Sequence, residues 1–248
     1  RHTRCICDWS SDVCSSDLLI EELVRKSGGN PFFLEELVRG VAAGRETFPE
    51  TVLAVVEDRI AQVAPALRRV LRGASVFGER FGAEGVAHVL GERVVDVVRS
   101  LEELVLLELL ERSSSGRFED TQEYAFQNAL ARDAAYGMFP EHERSLAHGE
   151  AARWLESVGG SNPGELFEHY LASGEREPTL RWMRTASKAA LSKCDAHTLK
   201  SLLSRCEPIG IPEEELLDYL FWLGQASTAT TNVPTLSMAS ERLANMAP

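Results

Sequence analysis

Lysine is scarce in this sequence, which has only four among its 248 residues. None of them, Lys26, Lys188, Lys193 or Lys200, follows a glycine. A phosphate-binding P-loop requires the pattern Gly-x-x-x-x-Gly-Lys-Ser/Thr, because its lysine and its backbone N–H groups together cradle the phosphates. The sequence also has no strand followed by an acidic magnesium ligand. We therefore expect no nucleotide-hydrolysing site in this chain, and we do not expect it to be an enzyme.

The five cysteines do not form a metal-binding pattern. Cys5, Cys7 and Cys14 lie close together near the start, whereas zinc sites usually have two ligand pairs separated by a loop. Cys194 and Cys206 fall in predicted helices, where we expect buried apolar side chains. The histidines are dispersed, and no Ser-His-Asp or Cys-His set is apparent. We predict no metal site and no catalytic residue.

Acidic residues outnumber basic ones, 38 to 26, which gives a formal net charge of −12. Affinity for nucleic acid depends on Lys and Arg side chains that neutralise phosphates. The charge therefore disfavours binding of this chain to DNA or to an anionic membrane. No apolar run approaches the roughly 20 residues of a membrane-spanning helix. We expect a cytoplasmic protein with no membrane partner.

The first eighteen residues, RHTRCICDWSSDVCSSDL, differ in composition from the rest and have neither a helical nor a strand period. They resemble the translation of a sequencing-adapter read-through at the end of an assembled reading frame. We interpret residues 1–18 as such an artefact, and the alternative is a disordered tail. On the first interpretation the evolved sequence starts near Leu19, in mid-gene, and the chain is a fragment.

From Leu19 onward the sequence has strong helical periodicity, which predicts a mainly α-helical fold. The exception is the pair of stretches 107–112 and 123–127, which flank a Ser/Gly turn and predict one β-hairpin. Three helices followed by a two-stranded wing indicate a winged helix. Paired helices after the wing, the last predicted at 235–247, indicate a TPR-like α-solenoid that is truncated.

Three stretches resemble one family, the STAND-class signalling ATPases. Residues 28–37, GGNPFFLEEL, are similar to a GNPFFLEEL box that opens the helical lid after the P-loop domain of these proteins. Residues 49–81 look like the next segment of the family, in which a PETV…RI helix leads into an ASVFG helix. Residues 124–136, YAFQNALARDAAY, are similar to its FRHALxRDAAY stretch. The resemblance covers roughly residues 19–182.

The resemblance implies a domain organisation and a set of partners. Residues 19–64 would be the helical lid of the ATPase module, 65–138 the winged-helix domain and 139–248 the truncated TPR-like repeats. The intact parent would bind ATP or ADP with Mg through a P-loop domain that this fragment lacks, and the fragment alone would bind neither tightly. Members of the family are bacterial regulators that carry cyclase, kinase or DNA-binding effector domains. A protein or small-molecule inducer would bind the helical repeats.

Three residues match nucleotide-contacting positions of the family. The lid turn that lies against the nucleotide corresponds to Asn30 and Pro31, and the histidine that reaches the β-phosphate of ADP corresponds to Asn128. Asparagine can donate a hydrogen bond but cannot carry the imidazolium charge, which puts an ADP lock in doubt. The alternative for all three residues is ordinary helix capping, with Asn at the N-cap and Pro at the first helical position.

Three functional hypotheses follow. The first is a regulatory fragment of an ATP-dependent signal-transduction switch, in which lid and winged helix move against the P-loop domain. The second is a winged-helix DNA-binding protein. It is disfavoured because the predicted recognition helix, 92–104, is rich in carboxylates where a reading helix should be basic or rich in amides. The third is a standalone helical scaffold for protein interactions.

Overall fold

The computed structural model of the chain describes residues 20, 23–25, 27, 29, 31–42, 51–113, 122–159, 161–193, 195–210 and 213–229. Within these residues the fold is mainly helical, as the periodicity predicts, and it contains one small antiparallel sheet. No helix in this part of the chain is long and apolar enough to cross a membrane. The stretch 1–18 and the predicted helix at 235–247 lie outside the described residues.

The helices follow closely the segments that the periodicity marks. In chain order they are α1 Pro31–Ala42, α2 Val52–Ala61, α3 Pro65–Ser75, α4 Ala83–Leu90, α5 Val94–Leu106, α6 Ala129–Gly137, α7 Glu141–Val158, α8 Pro163–Ser173, α9 Arg176–Ser192, α10 Ala196–Cys206 and α11 Glu213–Ala229. The strands are β1 Arg80–Gly82, β2 Leu110–Arg112 and β3 Glu123–Phe126. The chain divides into two compact units, of which the first consists of Arg1–Arg80, Ser100–Ser113 and Tyr124–Met138, and the second of Phe81–Arg99, Ser114–Glu123 and Phe139–Pro248.

The first unit is built around α2 and α6. Helix α1 packs on α2, and α6 packs on both α2 and α3. Helix α3 starts at Pro65, where the missing N–H of proline removes no intrahelical bond. The face of α3 that the helical period predicts to be apolar is buried: Leu67, Val70, Leu71 and Ala74.

The second unit contains a series of helices in which each member packs on the next along the chain, from α7 to α11. Helix α4 also belongs to this unit and packs on α7. The core between α8 and α11 consists mostly of aliphatic and small side chains: Phe167, Leu180, Met183, Ala186, Ala190, Leu199, Leu202, Leu203, Cys206, Leu220, Trp222, Leu223 and Ala226. Contact between consecutive helices is what repeated helix pairs of this length would produce.

The sheet has the strand order β1-β3-β2. Strands β2 and β3 pair antiparallel with Leu110 opposite Phe126, which confirms the predicted hairpin. Its first strand begins at Leu110 and not at residue 107, because residues 107–109 close the end of α5. Strand β1 was not predicted, since three residues are too few to show an alternating pattern.

One carboxylate links α5 to both strands of the hairpin. Glu102 accepts hydrogen bonds from Tyr124 Oη at 2.8 Å and from Arg112 Nε at 3.0 Å. The second guanidinium nitrogen of Arg112 pairs with the other oxygen of the same carboxylate. The bonds from Arg112 lower the pKa of the Glu102 carboxyl, burial opposes this shift, and the bond from Tyr124 reinforces it.

The lowered pKa of Glu102 predicts a pH-dependent contribution to stability. A carboxyl whose pKa is lower in the folded state stabilises the fold above its ordinary pKa of about 4.3, and this contribution is lost as the pH falls through the folded-state pKa. The free energy of unfolding should therefore be higher for the wild type than for Glu102→Gln near neutral pH. The difference should shrink between about pH 5 and about pH 3.

The measurement is urea denaturation followed by circular dichroism at a series of pH values. Glu103→Gln, one position along the same helix, is the matched control and should show no such convergence. A gap between wild type and Glu102→Gln that stays constant with pH would contradict the assignment.

Candidate functional site

The residues predicted to contact nucleotide are only partly within the described structure. Asn30 lies outside the described residues. Pro31 is the first residue of α1 and is exposed, and Asn128 precedes α6. Helices α1 and α6 both pack on α2, so Pro31 and Asn128 belong to two helices with a common neighbour. No hydrogen bond between described residues joins them directly.

Asn128 is the N-cap of α6. Its backbone is extended, with φ −161° and ψ 164°, and its Oδ1 accepts a hydrogen bond from the N–H of Ala131 at 2.8 Å. The alternative interpretation of Asn128 as a helix cap is therefore confirmed. The cap uses the amide oxygen, and the Nδ2 group keeps two donors that a phosphate could accept. Nucleotide contact by Asn128 stays a prediction.

The end of α5 is a feature that the sequence did not reveal. Leu109 donates its N–H to the carbonyl of Leu104 at 3.1 Å, and Glu108 donates to Val105 at 2.9 Å, which is the bonding pattern of a Schellman cap. The residue between helix and strand, Glu108, has φ 54°. Glycine or asparagine usually occupies this left-handed position, and another residue costs on the order of 1 kcal/mol there.

Two arginines from α1 and α2 converge on this strained turn. Arg59 of α2 donates to the carbonyl oxygen of Leu107 at 2.6 Å and to that of Glu108 at 3.3 Å. Arg39 of α1 pairs with the Glu108 carboxylate and, at 3.0 Å, with Glu35 one turn earlier in its own helix. The carbonyl groups at a helix C-terminus carry partial negative charge, so both guanidinium groups face favourable electrostatics. The turn therefore connects three helices of the first unit.

The second unit holds a buried pair of histidines. His148 on α7 and His169 on α8 are 7% and 5% exposed, and their Nδ1 atoms lie 3.1 Å apart. At this distance one Nδ1 carries a hydrogen and donates a hydrogen bond, and the other Nδ1 accepts that bond. The sequence shows the histidines only as dispersed residues and gives no sign of this pair, because the two rings are 21 positions apart. Packing is the role that their burial supports.

No metal-binding cluster accompanies the histidines. Among the described residues, no group of three or more His, Cys, Asp or Glu side chains lies close enough to hold an ion. Two histidines without further ligands do not make a zinc site. The pair is therefore a polar contact inside the packing of α7 on α8.

Exposed ionic contacts in the second unit connect α7 with α9 and with the residue that precedes it. Arg153 on α7 reaches Glu175, just before α9, at 2.8 Å, and Arg181 on α9 reaches Glu156 on α7 at 2.8 Å. Glu156 also accepts from Tyr170 Oη at 2.6 Å. Burial, reinforced by Glu156, raises the pKa of Tyr170 to about 12. Such partly exposed pairs contribute little stability individually, and they orient the helices more than they stabilise them.

A scan against protein-family models finds no match, and a search of curated proteins finds none either. The chemistry of the described residues is therefore the basis for a functional proposal, together with the motifs of the sequence.

Removing the cap oxygen of Asn128 should destabilise the first unit. Asn128→Ala leaves the Ala131 N–H without its partner, so the free energy of unfolding should fall by about 1 kcal/mol, within the usual 0.5–2 kcal/mol range for N-caps. Asn128→Asp keeps an accepting oxygen and is the matched control, which should stay within a few tenths of a kcal/mol of wild type. Urea denaturation followed by circular dichroism measures both. An equal loss in both variants would contradict the capping role.

Cys206 should be unreactive in the folded protein. The side chain is fully buried, and burial raises the pKa of its thiol to about 12, so almost no thiolate forms near neutral pH. Iodoacetamide labelling at about pH 8, with trypsin digestion and mass spectrometry, should modify the Cys206 peptide only after urea is added. Trypsin separates it from Cys194, because Lys200 and Arg205 lie between them. Rapid labelling without urea would contradict the burial of Cys206.

Proposed function

We propose that this chain is a regulatory segment of an ATP-dependent signal-transduction switch. The observation that carries the proposal is the convergence of Arg39 and Arg59 on the strained turn at Glu108. Arg39 lies on α1, the helix that also contains residues 31–37 of the GNPFFLEEL-like stretch, the segment that resembles a nucleotide-contacting lid. A movement of that helix would pull on a turn that already adopts an unfavourable backbone conformation.

The turn is suited to transmit such a movement. It is the point where α5 ends and β2 begins, so a change in its conformation would alter the direction of the hairpin relative to α5. The ion pair between Arg39 and Glu108 is exposed and holds α1 to this point through a single long side chain. Exposed pairs of this kind are worth about 0–1 kcal/mol, so a bound nucleotide could supply enough energy to break it.

The finer architecture is part of the same proposal. Residues 65–138, which contain α3, α4, α5 and the β2–β3 hairpin, would serve as the winged helix of the switch. In the second unit, the helices from α7 to α11 would be the TPR-like solenoid that receives an inducer. The packing of each helix on the next supports this arrangement. The boundaries at 64/65 and 138/139 belong to the proposal.

Nucleotide would be bound jointly by this chain and the P-loop domain of the intact parent. Pro31 would offer a rigid, exposed ring to the base, because proline has a fixed φ and no N–H. Asn30 would accompany it in the lid turn. Asn128 would reach a phosphate with Nδ2 while Oδ1 caps α6. ATP or ADP with Mg would be held by the parent's missing domain, and the effector domain would determine the output.

A helical interaction scaffold is the second candidate. The observation that favours it is an apolar pair on α11, where Leu217 and Phe221 are 56% and 58% exposed and lie one turn apart. An exposed apolar face on a helical array is typical of protein or peptide binding. This candidate requires no nucleotide.

DNA binding is less well supported. The two arginines near the start of the predicted recognition helix are already paired with one carboxylate, since Arg93 and Arg99 lie 3.3 Å and 3.6 Å from Asp96. Guanidinium groups that neutralise a neighbouring carboxylate contribute less to phosphate binding. We therefore regard the hairpin and its helices as a module of the switch.

The proposed coupling predicts nucleotide-dependent hydrogen exchange in the parent protein. The experiment first sequences the source DNA upstream of the reading frame, where the proposal expects a Gly-x-x-x-x-Gly-Lys-Ser/Thr motif. In the extended protein, exchanging ADP for ATP should change amide protection in α1 and at the end of α5 together. In the Arg39→Gln variant, the nucleotide-dependent change in amide protection should persist in α1 and disappear at the end of α5.

The matched control is Arg181→Gln, which removes a comparable ion pair in the second unit and should leave both changes intact. The switch proposal would be overturned in favour of the scaffold if the upstream frame encoded no P-loop. It would also be overturned if amide protection did not respond to nucleotide. Equal responses in wild type and Arg39→Gln would remove the Glu108 turn from the mechanism.

A further inference from the structure

The first unit contains a pocket of about 280 Å³. It is lined by Ile60 at the end of α2, Pro65, Arg68 and Arg72 on α3, and Met138 after α6. Its volume is close to the lower end of the roughly 300–1,000 Å³ range of small-molecule sites. None of its lining residues belongs to the nucleotide contacts or to the Glu108 turn.

The pocket combines two cationic side chains with apolar walls. Arg68 and Arg72 are four positions apart on α3, so they lie one above the other on one face of the helix. Both are half-buried, as is Met138, while Ile60 is buried. A guanidinium group that is partly shielded from water attracts an anion more strongly than an exposed one, because the local dielectric constant is lower.

Arg68 differs from most arginines that the structure describes. Arg39, Arg112 and Arg153 each pair with a carboxylate. Arg68 forms no ion pair with any carboxylate of the described residues. Arg72 also lines the pocket, and its guanidinium group carries five N–H donors. In a chain of net charge −12, the pocket therefore brings two guanidinium groups together.

We propose that this pocket binds a small organic anion, with its carboxylate or phosphate group between Arg68 and Arg72 and its apolar body against Ile60, Pro65 and Met138. Guanidinium groups bind both carboxylates and phosphates through paired, charge-assisted hydrogen bonds, which are about twice as strong as neutral ones. The flexible thioether of Met138 can adapt to the shape of the apolar body. The small volume selects a compact ligand.

The position of the pocket gives such a ligand an effect on the fold. The lining residues come from α2, α3 and the residue after α6, and α6 packs on both α2 and α3. A ligand that contacts all three binds the folded form and not the unfolded one. It therefore raises the stability of the first unit, and the gain grows with the logarithm of the ligand concentration once this exceeds the Kd.

The test measures binding of defined probes to the full 248-residue chain by isothermal titration calorimetry and by ligand-observed NMR. The probes are phenyl phosphate, benzoate, inorganic phosphate and benzyl alcohol. Phenyl phosphate or benzoate should bind at least about tenfold more tightly than inorganic phosphate and benzyl alcohol, because only the first two offer both an anion and an apolar ring. The tighter of the two identifies phosphate or carboxylate as the natural group.

Variants assign the binding to the pocket. Arg68→Gln with Arg72→Gln replaces both guanidinium groups with shorter, neutral amides, and it should weaken the tighter probe by about tenfold or more. Arg69→Gln alters an exposed arginine on the same helix and is the matched control, with an expected change within about twofold. Met138→Phe fills the pocket without touching the arginines and should also abolish binding. Circular dichroism confirms that each variant is folded.

Several results would overturn the proposal. Unchanged affinity in the double arginine variant would do so, and so would an equal loss in Arg69→Gln. Inorganic phosphate binding as tightly as phenyl phosphate would remove the apolar part of the site. If the double variant fails to fold, Met138→Phe decides, and unchanged affinity in that variant refutes the pocket.

Discussion

The architecture of the first unit depends on the left-handed turn at Glu108. A residue with φ 54° ends α5 and sends the chain back so that β2 runs beside the helix it follows. That reversal allows Glu102, on α5, to meet Arg112 and Tyr124 on the two strands of the hairpin. Because the turn residue is not glycine, the conformation must be over-determined by its surroundings. Arg39 and Arg59 supply that restraint from two other helices.

The second unit is stabilised by apolar packing between consecutive helices. Each of its helices from α7 to α11 buries apolar side chains against the next, so stability accumulates from neighbouring contacts and not from one central residue. The buried His148–His169 pair interrupts this apolar packing with a single polar contact between α7 and α8. Ion pairs such as Arg153–Glu175 lie at the exposed edges of these helices, where water weakens the attraction between the charges.

The two features that we connect with function are separate places within the first unit. The Glu108 turn couples helices through backbone strain and ion pairs, which suits the transmission of a movement. The pocket beside Arg68 and Arg72 is lined by α2, α3 and the residue after α6. A ligand bound there would contact all three and stabilise their packing. Helix α2 contributes to both, through Arg59 at the turn and Ile60 at the pocket. A ligand in the pocket therefore contacts the helix that supports the strained turn.

Most of the helices and the β2–β3 hairpin could be predicted from the sequence, because helical periodicity, proline at helix starts and glycine at helix ends are local signals. The sequence predicted that a hairpin joins β2 to β3 and, as the alternative to nucleotide contact, that Asn128 caps a helix. Only the tertiary structure revealed the Glu108 turn, the His148–His169 pair and the pocket between Arg68 and Arg72. The first lacks its usual glycine signal, and the others join residues from different helices. Such contacts depend on how helices pack on one another, and periodicity within a segment carries no information about its neighbour.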